Sequence, residues 1–392
     1  MMLKKKKLVT LCLVCGMLLP LSAQQMNREK TLTERVSLLE KKSDRFNLYL
    51  NMHGTFDAQF NYNGVNGLQE GVFKMKQFRM EAKGNIAPWL SYRWRQRLNR
   101  SRDGSGNVDN MPTSIDIAGI GVRLDERFSL FMGKQCAAYG GIEFDLNPIE
   151  IYEYCDMIEN MSNFMTGLNI AFQANENHQL QLQVLDSRNG STQDIYGNVS
   201  TAGIEESPLP LVYTLNWNGA FFNNVLKTRW SASVMNQAKE KQMYYYALGN
   251  ELTWGKFNMY LDAMYSKEDL DRKGVITGIL GSPDDHVALN VAYTSLVAKL
   301  NYWVAPKWKL HVKGMYETAG TSKATAAFEK GKYRTSYGYL GGIEYYPLEQ
   351  SNLHFFANFT GRDYLFTNRA AGFSDFDTQR FSIGFIYQLP LF

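Results

Sequence analysis

Three arginines stand at alternating positions in Tyr92-Arg93-Trp94-Arg95-Gln96-Arg97-Leu98. On an extended chain they share one face and climb it in steps of roughly 6.6–6.8 Å. Guanidinium binds phosphate or carboxylate through paired hydrogen bonds, so such a ladder suits anions handed from site to site. A water-exposed basic wall with no selective site is the plainer reading of the same residues. Further cations occupy the polar face of similar stretches: Arg79, Lys83, Lys227, Arg229, Lys299, Lys309, His311, Lys313, Arg334, Arg362 and Arg380. The acids on those faces are fewer: Asp57, Glu81, Glu251, Asp262, Glu317 and Glu344. Between Gln135 and Ser187 there is no Lys or Arg, and the stretch 136–163 carries Glu143, Asp145, Glu150, Glu153, Asp156 and Glu159.

Periodicity identifies the elements that position these charges. From Phe46 to Phe60 the even positions (Phe46, Leu48, Leu50, Met52, Phe56, Phe60) are mainly apolar and the odd ones (Asn47, Asn51, His53, Thr55, Asp57, Gln59) mainly polar. A period of two over that length excludes a helix and exceeds the five or six residues of an ordinary soluble strand. The pattern returns throughout, for example with Trp308/Leu310/Val312/Tyr316 against Lys309/His311/Lys313/Glu317. About sixteen such segments follow, those near 115–124 and 128–135 being the weakest. Short connectors such as Asn175-Glu176-Asn177 and Gly255-Lys256 alternate with long ones near 61–71, 100–113, 136–163, 187–208, 236–243, 267–290, 318–332 and 363–377. That organisation predicts an all-β, antiparallel transmembrane barrel with apolar residues toward lipid and an aqueous interior. Tyr, Trp and Phe near strand ends fit interfacial girdles; a soluble sandwich or solenoid is the competing architecture. Tyr49, Tyr260 and Phe356 fall on the inward face.

The formal charge of +4 comes from 42 basic and 38 acidic side chains. Lys4 to Lys7 precede an apolar run, Leu8–Leu21, that ends in Leu21-Ser22-Ala23, the pattern of a secretory signal peptide over 1–23. Removing it leaves basic and acidic side chains balanced, so no whole-molecule charge argues for nucleic acid. Cys12 and Cys15 belong to that leader; a lipoprotein anchored at Cys15 is a second reading. Cys136 and Cys155 remain, and a disulfide and two free thiols are both compatible with their positions. Over 24–45, Leu32, Val36, Leu39 and Phe46 give a short amphipathic, coiled-coil-like helix. It would either bundle with the same helix of neighbouring subunits, lie on its own barrel, or fray as a linker. Hydrolase, metalloprotease and P-loop signatures are absent, and Gly119-Ile120-Gly121 lacks a third glycine. The five histidines look scattered; no metal, cofactor or enzymatic reaction is expected.

If 136–163 folds into the barrel, its acids would face the arginine wall and set up a transverse field; otherwise they form an extracellular acidic surface able to share divalent cations with lipid headgroups. The stretches Phe78-Arg79-Met80-Glu81-Ala82-Lys83-Gly84, Tyr92 to Leu98 and Leu130-Phe131-Met132-Gly133-Lys134-Gln135, after a short coiled-coil segment, resemble the phosphate-selective porin O and P family. The resemblance implies a sixteen-stranded homotrimer in the Gram-negative outer membrane with its third loop folded inward. It further implies an arginine ladder attracting anions, which Arg93, Arg95 and Arg97 would continue, and lysines near the eyelet holding phosphate. The acidic loop departs from the latter, and Pro390 departs from the usual last strand. Phe392 ends the chain as in barrels handed to the insertion machinery. The expectation is a porin over 46–392 that passes small hydrophilic solutes through outer-membrane lipid with a mild anion preference. An oligosaccharide channel with inward aromatics, or an adhesin or receptor barrel without a channel, are its alternatives.

Overall fold

The computed structural model describes residues 43–60, 67–100, 109–188, 195–196, 203–280, 286–325 and 328–391. The leader 1–23 and the helix expected over 24–45, up to residue 42, lie outside them; Asp44 and Arg45 form a bend into the first strand. Sixteen strands follow: β1 (Asn47–Phe60), β2 (Leu68–Ala87), β3 (Leu90–Arg97), β4 (Ile115–Arg123), β5 (Phe128–Cys136), β6 (Phe164–Asn175), β7 (His178–Asp186) and β8 (Leu211–Phe221). The second half comprises β9 (Leu226–Ala238), β10 (Lys241–Trp254), β11 (Phe257–Leu270), β12 (Leu289–Ala305), β13 (Trp308–Thr321), β14 (Gly331–Tyr345), β15 (His354–Phe366) and β16 (Phe376–Pro390). Each pairs with its sequence neighbours, and β1 closes on β16 from Tyr49↔Pro390 to Phe60↔Gln379. Closure satisfies every strand edge, as hydrocarbon demands. Pro390 costs nothing central, because it terminates its strand.

The alternation read from the sequence is the alternation of the wall. In β13, Lys309, His311, Lys313 and Met315 are buried inside while Trp308, Leu310 and Val312 are exposed outside. In β1 the buried set is Asn47, Tyr49, Asn51, His53, Thr55 and Asp57. The two weakest segments are true strands, β4 and β5. Among the described residues no helix is long and apolar enough to cross a membrane; crossing falls to the strands.

One connector differs from expectation. The expected long loop 236–243 is a tight turn, with Lys239 and Glu240 between β9 and β10 and Glu240 at φ 58°. Gln237 exchanges two hydrogen bonds with the Leu270 backbone at 2.7 and 3.0 Å. Here the inward residues Met235, Ala238 and Met243 are buried and apolar while Gln237 and Gln242 are polar, so polarity no longer distinguishes strand from loop.

Leu248 projects outward between Trp230 and Ala263 of the flanking strands. Leu248→Arg should destabilise the folded barrel by about 2–4 kcal/mol if it sits near the bilayer centre. Urea unfolding in lipid vesicles checks this, and an unchanged midpoint would place that face away from lipid.

Candidate functional site

The segment joining β5 to β6 enters the barrel. Gly140 and Gly141 adopt φ of 75° and 82°, conformations open to glycine, and a Cβ on Gly140 would come within 2.6 Å of Ser231. Gly249 on β10 lets the loop seat directly on the wall, since a Cβ there would lie 2.7 Å from the Gly141 Cα. The fully buried Asp262 carboxylate then accepts the backbone N–H groups of Ile142 and Glu143 at 2.7 and 2.9 Å.

Beyond this clamp the loop's acids are drawn to the inner faces of β11 and β13–β16. Glu143 pairs with Lys313 at 2.6 Å and accepts from the Tyr260 hydroxyl. Glu153 pairs with Arg380 at 2.8 Å. Asp156 takes Arg362 at 2.8 Å and also Arg334, while Arg362 reaches Glu317 as well. Backbone contacts add to these: His53 Nδ1 lies 2.8 Å from the Ile149 carbonyl, and Lys313 donates to the Glu153 carbonyl at 2.6 Å. Burial alone would raise the Glu153 carboxyl, but Arg380, Lys76 and Arg362 hold it below the usual carboxylate range.

Apolar packing completes the seal. Tyr139, Phe144, Met157 and Ile158 of the loop pack on Met235, Met243, Tyr245, Met264, Val291, Tyr293 and Met315 of the wall. These inward residues were missed by a reading that took the lumen face to be polar. Their parity with Ser231 and Ser233, or with Lys313, was the available signal. Tyr152 stacks on His311 with ring centroids 4.8 Å apart. Three histidines thus converge rather than scatter: His311 lies 3.1 Å and His354 3.8 Å from Glu344, and His53 stands at 5.3 Å from the Phe356 ring that Tyr152 also meets. Lys309 joins Glu344 at 2.5 Å, and Lys299 lies over the Tyr152 ring. Cys155 is buried in this core and Cys136 ends β5; both are free thiols, not a disulfide.

The other half of the lumen stays open. A cavity of about 470 Å³ is lined by Arg79, Arg93, Arg95, Arg97, Arg100 and Lys134 on one side and by Asp145 and Glu159 of the loop on the other. Arg79, Arg95 and Arg97 share a single carboxylate, Asp116, at 3.2, 3.3 and 2.8 Å. Asp116 escaped the sequence reading because the pairing register shifts between Arg95 and Gln96, which re-aims the residues of β4. Arg93 pairs with Glu81 at 2.8 Å and Lys134 with Asp109 at 3.0 Å. The Arg79 Nη1 group is buried without a hydrogen-bond acceptor. Positive charge therefore exceeds negative at this wall.

The expected opposition of all six loop acids to the arginines is corrected. Only Asp145, 3.3 Å from Arg229, and Glu159 line this cavity. Glu143, Glu153 and Asp156 face away, and Glu150 is half-buried at the end of the turn Pro148–Glu150. Lys309, Lys313, Arg334, Arg362 and Arg380, expected along an anion path, are instead paired beneath or beside the loop. Lys83 lies 5.1 Å from the Tyr49 ring, and Lys227 is half-buried near the short-turn end of β9. Below the cation cluster, on the same arc of wall, a second cavity of about 330 Å³ is lined by Ser91, Phe131, Asn169, Gln179 and Gln181 among others.

A sequence profile described as phosphate-selective porin O and P matches residues 46–389. No curated protein matches the chain significantly. Among solved structures, the outer membrane channel DcaP of Acinetobacter baumannii superposes with a TM-score of 0.61 at 10% identity, covering 88% of this chain and 97% of that one. OprB of Pseudomonas putida gives 0.56 at 10% identity over 88% and 94%. The anion-selective porin of Comamonas acidovorans gives 0.51 at 7% identity over 88% and 99%. At such identities these likenesses establish a shared fold.

Lys313→Met would strand the buried Glu143 carboxylate, weakening loop docking by about 3–5 kcal/mol. Gly249→Val would obstruct the Gly141 backbone directly. Both variants should open 137–163 to protease in the folded barrel and raise single-channel conductance; wild-type resistance in both would contradict the docking account. The lowered Glu153 carboxyl adds docking energy that is complete above the ordinary carboxylate range and is lost as pH falls through its lowered value. The protection that Glu153 itself supplies, read as the difference in protease sensitivity between wild type and Glu153→Gln, should accordingly stay constant down to that range and vanish only below it.

Proposed function

The chain belongs to the phosphate-selective porin O and P family and forms an outer-membrane channel, and from that premise we propose that small hydrophilic solutes diffuse passively through the half of the lumen lined by β2–β7, with a mild preference for anions. The observation that carries the preference is the sharing of Asp116 by Arg79, Arg95 and Arg97, which leaves about two positive charges uncompensated. At roughly 7 Å in a water-like dielectric near 80, two such charges favour a monovalent anion by about 1 kcal/mol, a several-fold effect that salt screens within roughly 10 Å at 0.1 M. That magnitude argues for a bias between ion signs rather than strict exclusion of cations.

Phosphate itself is a narrower reading, supported by family membership and by the unaccepted Arg79 donor. Assembly as a homotrimer in outer-membrane lipid, after export and handling by the insertion machinery, belongs to the same proposal. An aromatic slide for oligosaccharides is disfavoured, because Tyr49, Tyr260 and Phe356 are buried rather than open to the cavity. A purely adhesive barrel leaves the cation-lined cavity without a use.

Reversal potentials in planar bilayers under a KCl gradient test the reading. Anion selectivity should be several-fold at low salt and decline as salt rises. The triple change Arg93→Ala, Arg95→Ala and Arg97→Ala should abolish it, whereas Lys239→Ala with Lys241→Ala at the outer turn should leave it intact. Cation selectivity of the wild type would overturn the proposal.

A further inference from the structure

The second cavity differs chemically from the one above it. Among its described lining residues Arg123 is the one charged side chain, so a small inorganic anion finds little there to hold it. What it offers is a connected series of amides. Asn169 Nδ2 donates to Gln181 at 3.1 Å, Gln181 to Gln179 at 2.7 Å, and Gln179 to Gln173 at 3.0 Å. A primary amide carries two N–H donors and two acceptor lone pairs, and each link consumes one N–H of its donor. The remaining N–H of Gln181 and Gln179 is available to a solute at these half-exposed, lumen-facing positions.

An aromatic surface lies beside them. Phe131 pairs directly with Asn169 across β5 and β6, and its ring lies over the backbone of Gly119, where a Cβ would meet ring carbons at 2.7 and 2.8 Å. Gly119 and Gly121 thus leave the inner wall bare at this level and give the ring a place. Aromatic carbon beside a fan of amide donors and acceptors is the complement of a sugar ring, which presents C–H groups on its faces and hydroxyls at its rim.

The two cavities adjoin. Arg93 lines the upper one and Ser91 the lower, and these are successive inward positions on β3, about 7 Å apart. A polar connection also runs between them, from Asp145 through its ion pair with Arg229, and by hydrogen bonds from Arg229 to Asn218 and from Asn218 to Gln179. We propose that the lower cavity is a polyol subsite, so that the favoured solute is a polyhydroxylated anion of monosaccharide-phosphate type, its anionic group at the arginines while its ring rests on Phe131 and the Gln179–Gln181 amides. This deepens the anion-channel reading and rests on it.

Current block in planar bilayers separates the parts. Inorganic phosphate, glucose 6-phosphate and glucose are added in turn to the folded wild-type channel. Glucose 6-phosphate should reach half-block at about tenfold lower concentration than phosphate, and Gln179→Ala with Gln181→Ala should bring the two together while leaving phosphate block unchanged. Phe131→Ala should weaken glucose 6-phosphate alone. Equal block by both anions in the wild type, or a ratio untouched by the glutamine and phenylalanine variants, would overturn the subsite. The reversal potential reports separately on the anion reading: a channel without anion selectivity in which glucose blocks, and ceases to block in the glutamine variant, would refute that reading and retain the polyol subsite.

Discussion

Docking of the loop between β5 and β6 on one side of the lumen is the contact on which the rest of the site depends. A sixteen-stranded barrel is too wide for its own side chains to fill, and without an inserted segment its interior would be an undifferentiated aqueous tube. Here the Asp262 carboxylate captures two loop amides, three glycines allow the close approach, and Glu143, Glu153 and Asp156 find buried or half-buried cations across β13–β16. Methionine and tyrosine side chains fill what remains. One half of the lumen becomes a core and the other half becomes the path.

This division explains the use of charge. Residues 24–392 are balanced in charge overall, and much of the basic excess on inward faces serves to neutralise the loop. Buried pairs of this kind contribute less to net stability than their number suggests, because desolvation offsets attraction. Their geometric effect is larger: breaking one leaves a charge stranded, so the loop has one well-defined seat. The cations left over cluster around Asp116, and on the proposed reading their incomplete compensation is what would bias the path.

The barrel was legible in the sequence wherever lipid lay on one side and water or polar packing on the other. Phe46 to Phe60 and Trp308 to Lys313 announce their faces by their alternation. Around Met235, Ala238 and Met243 the inward residues are themselves apolar and the contrast vanishes, which is why the tight turn at Lys239-Glu240 reads as a loop. The arginine ladder was equally plain, but Asp116 was hidden by a register shift that no local pattern reveals. Met235, Met264 and Met315 were obscured by the premise that inward means polar, and His53, His311 and His354 by their separation along the chain. The loop's acids were visible as a group; which wall they would face depended on long-range pairing.

The most direct test of the divided lumen replaces inward residues one at a time by cysteine, in a background carrying Cys136→Ala and Cys155→Ala, and follows single-channel current as a charged methanethiosulfonate reagent is added. Ser91→Cys and Gln181→Cys, on the open arc, should be modified promptly with a stepwise fall in current. Met235→Cys and Met315→Cys, beneath the loop, should be unreactive while the channel conducts. Rapid modification and block at the second pair, with the first pair silent, would contradict the account.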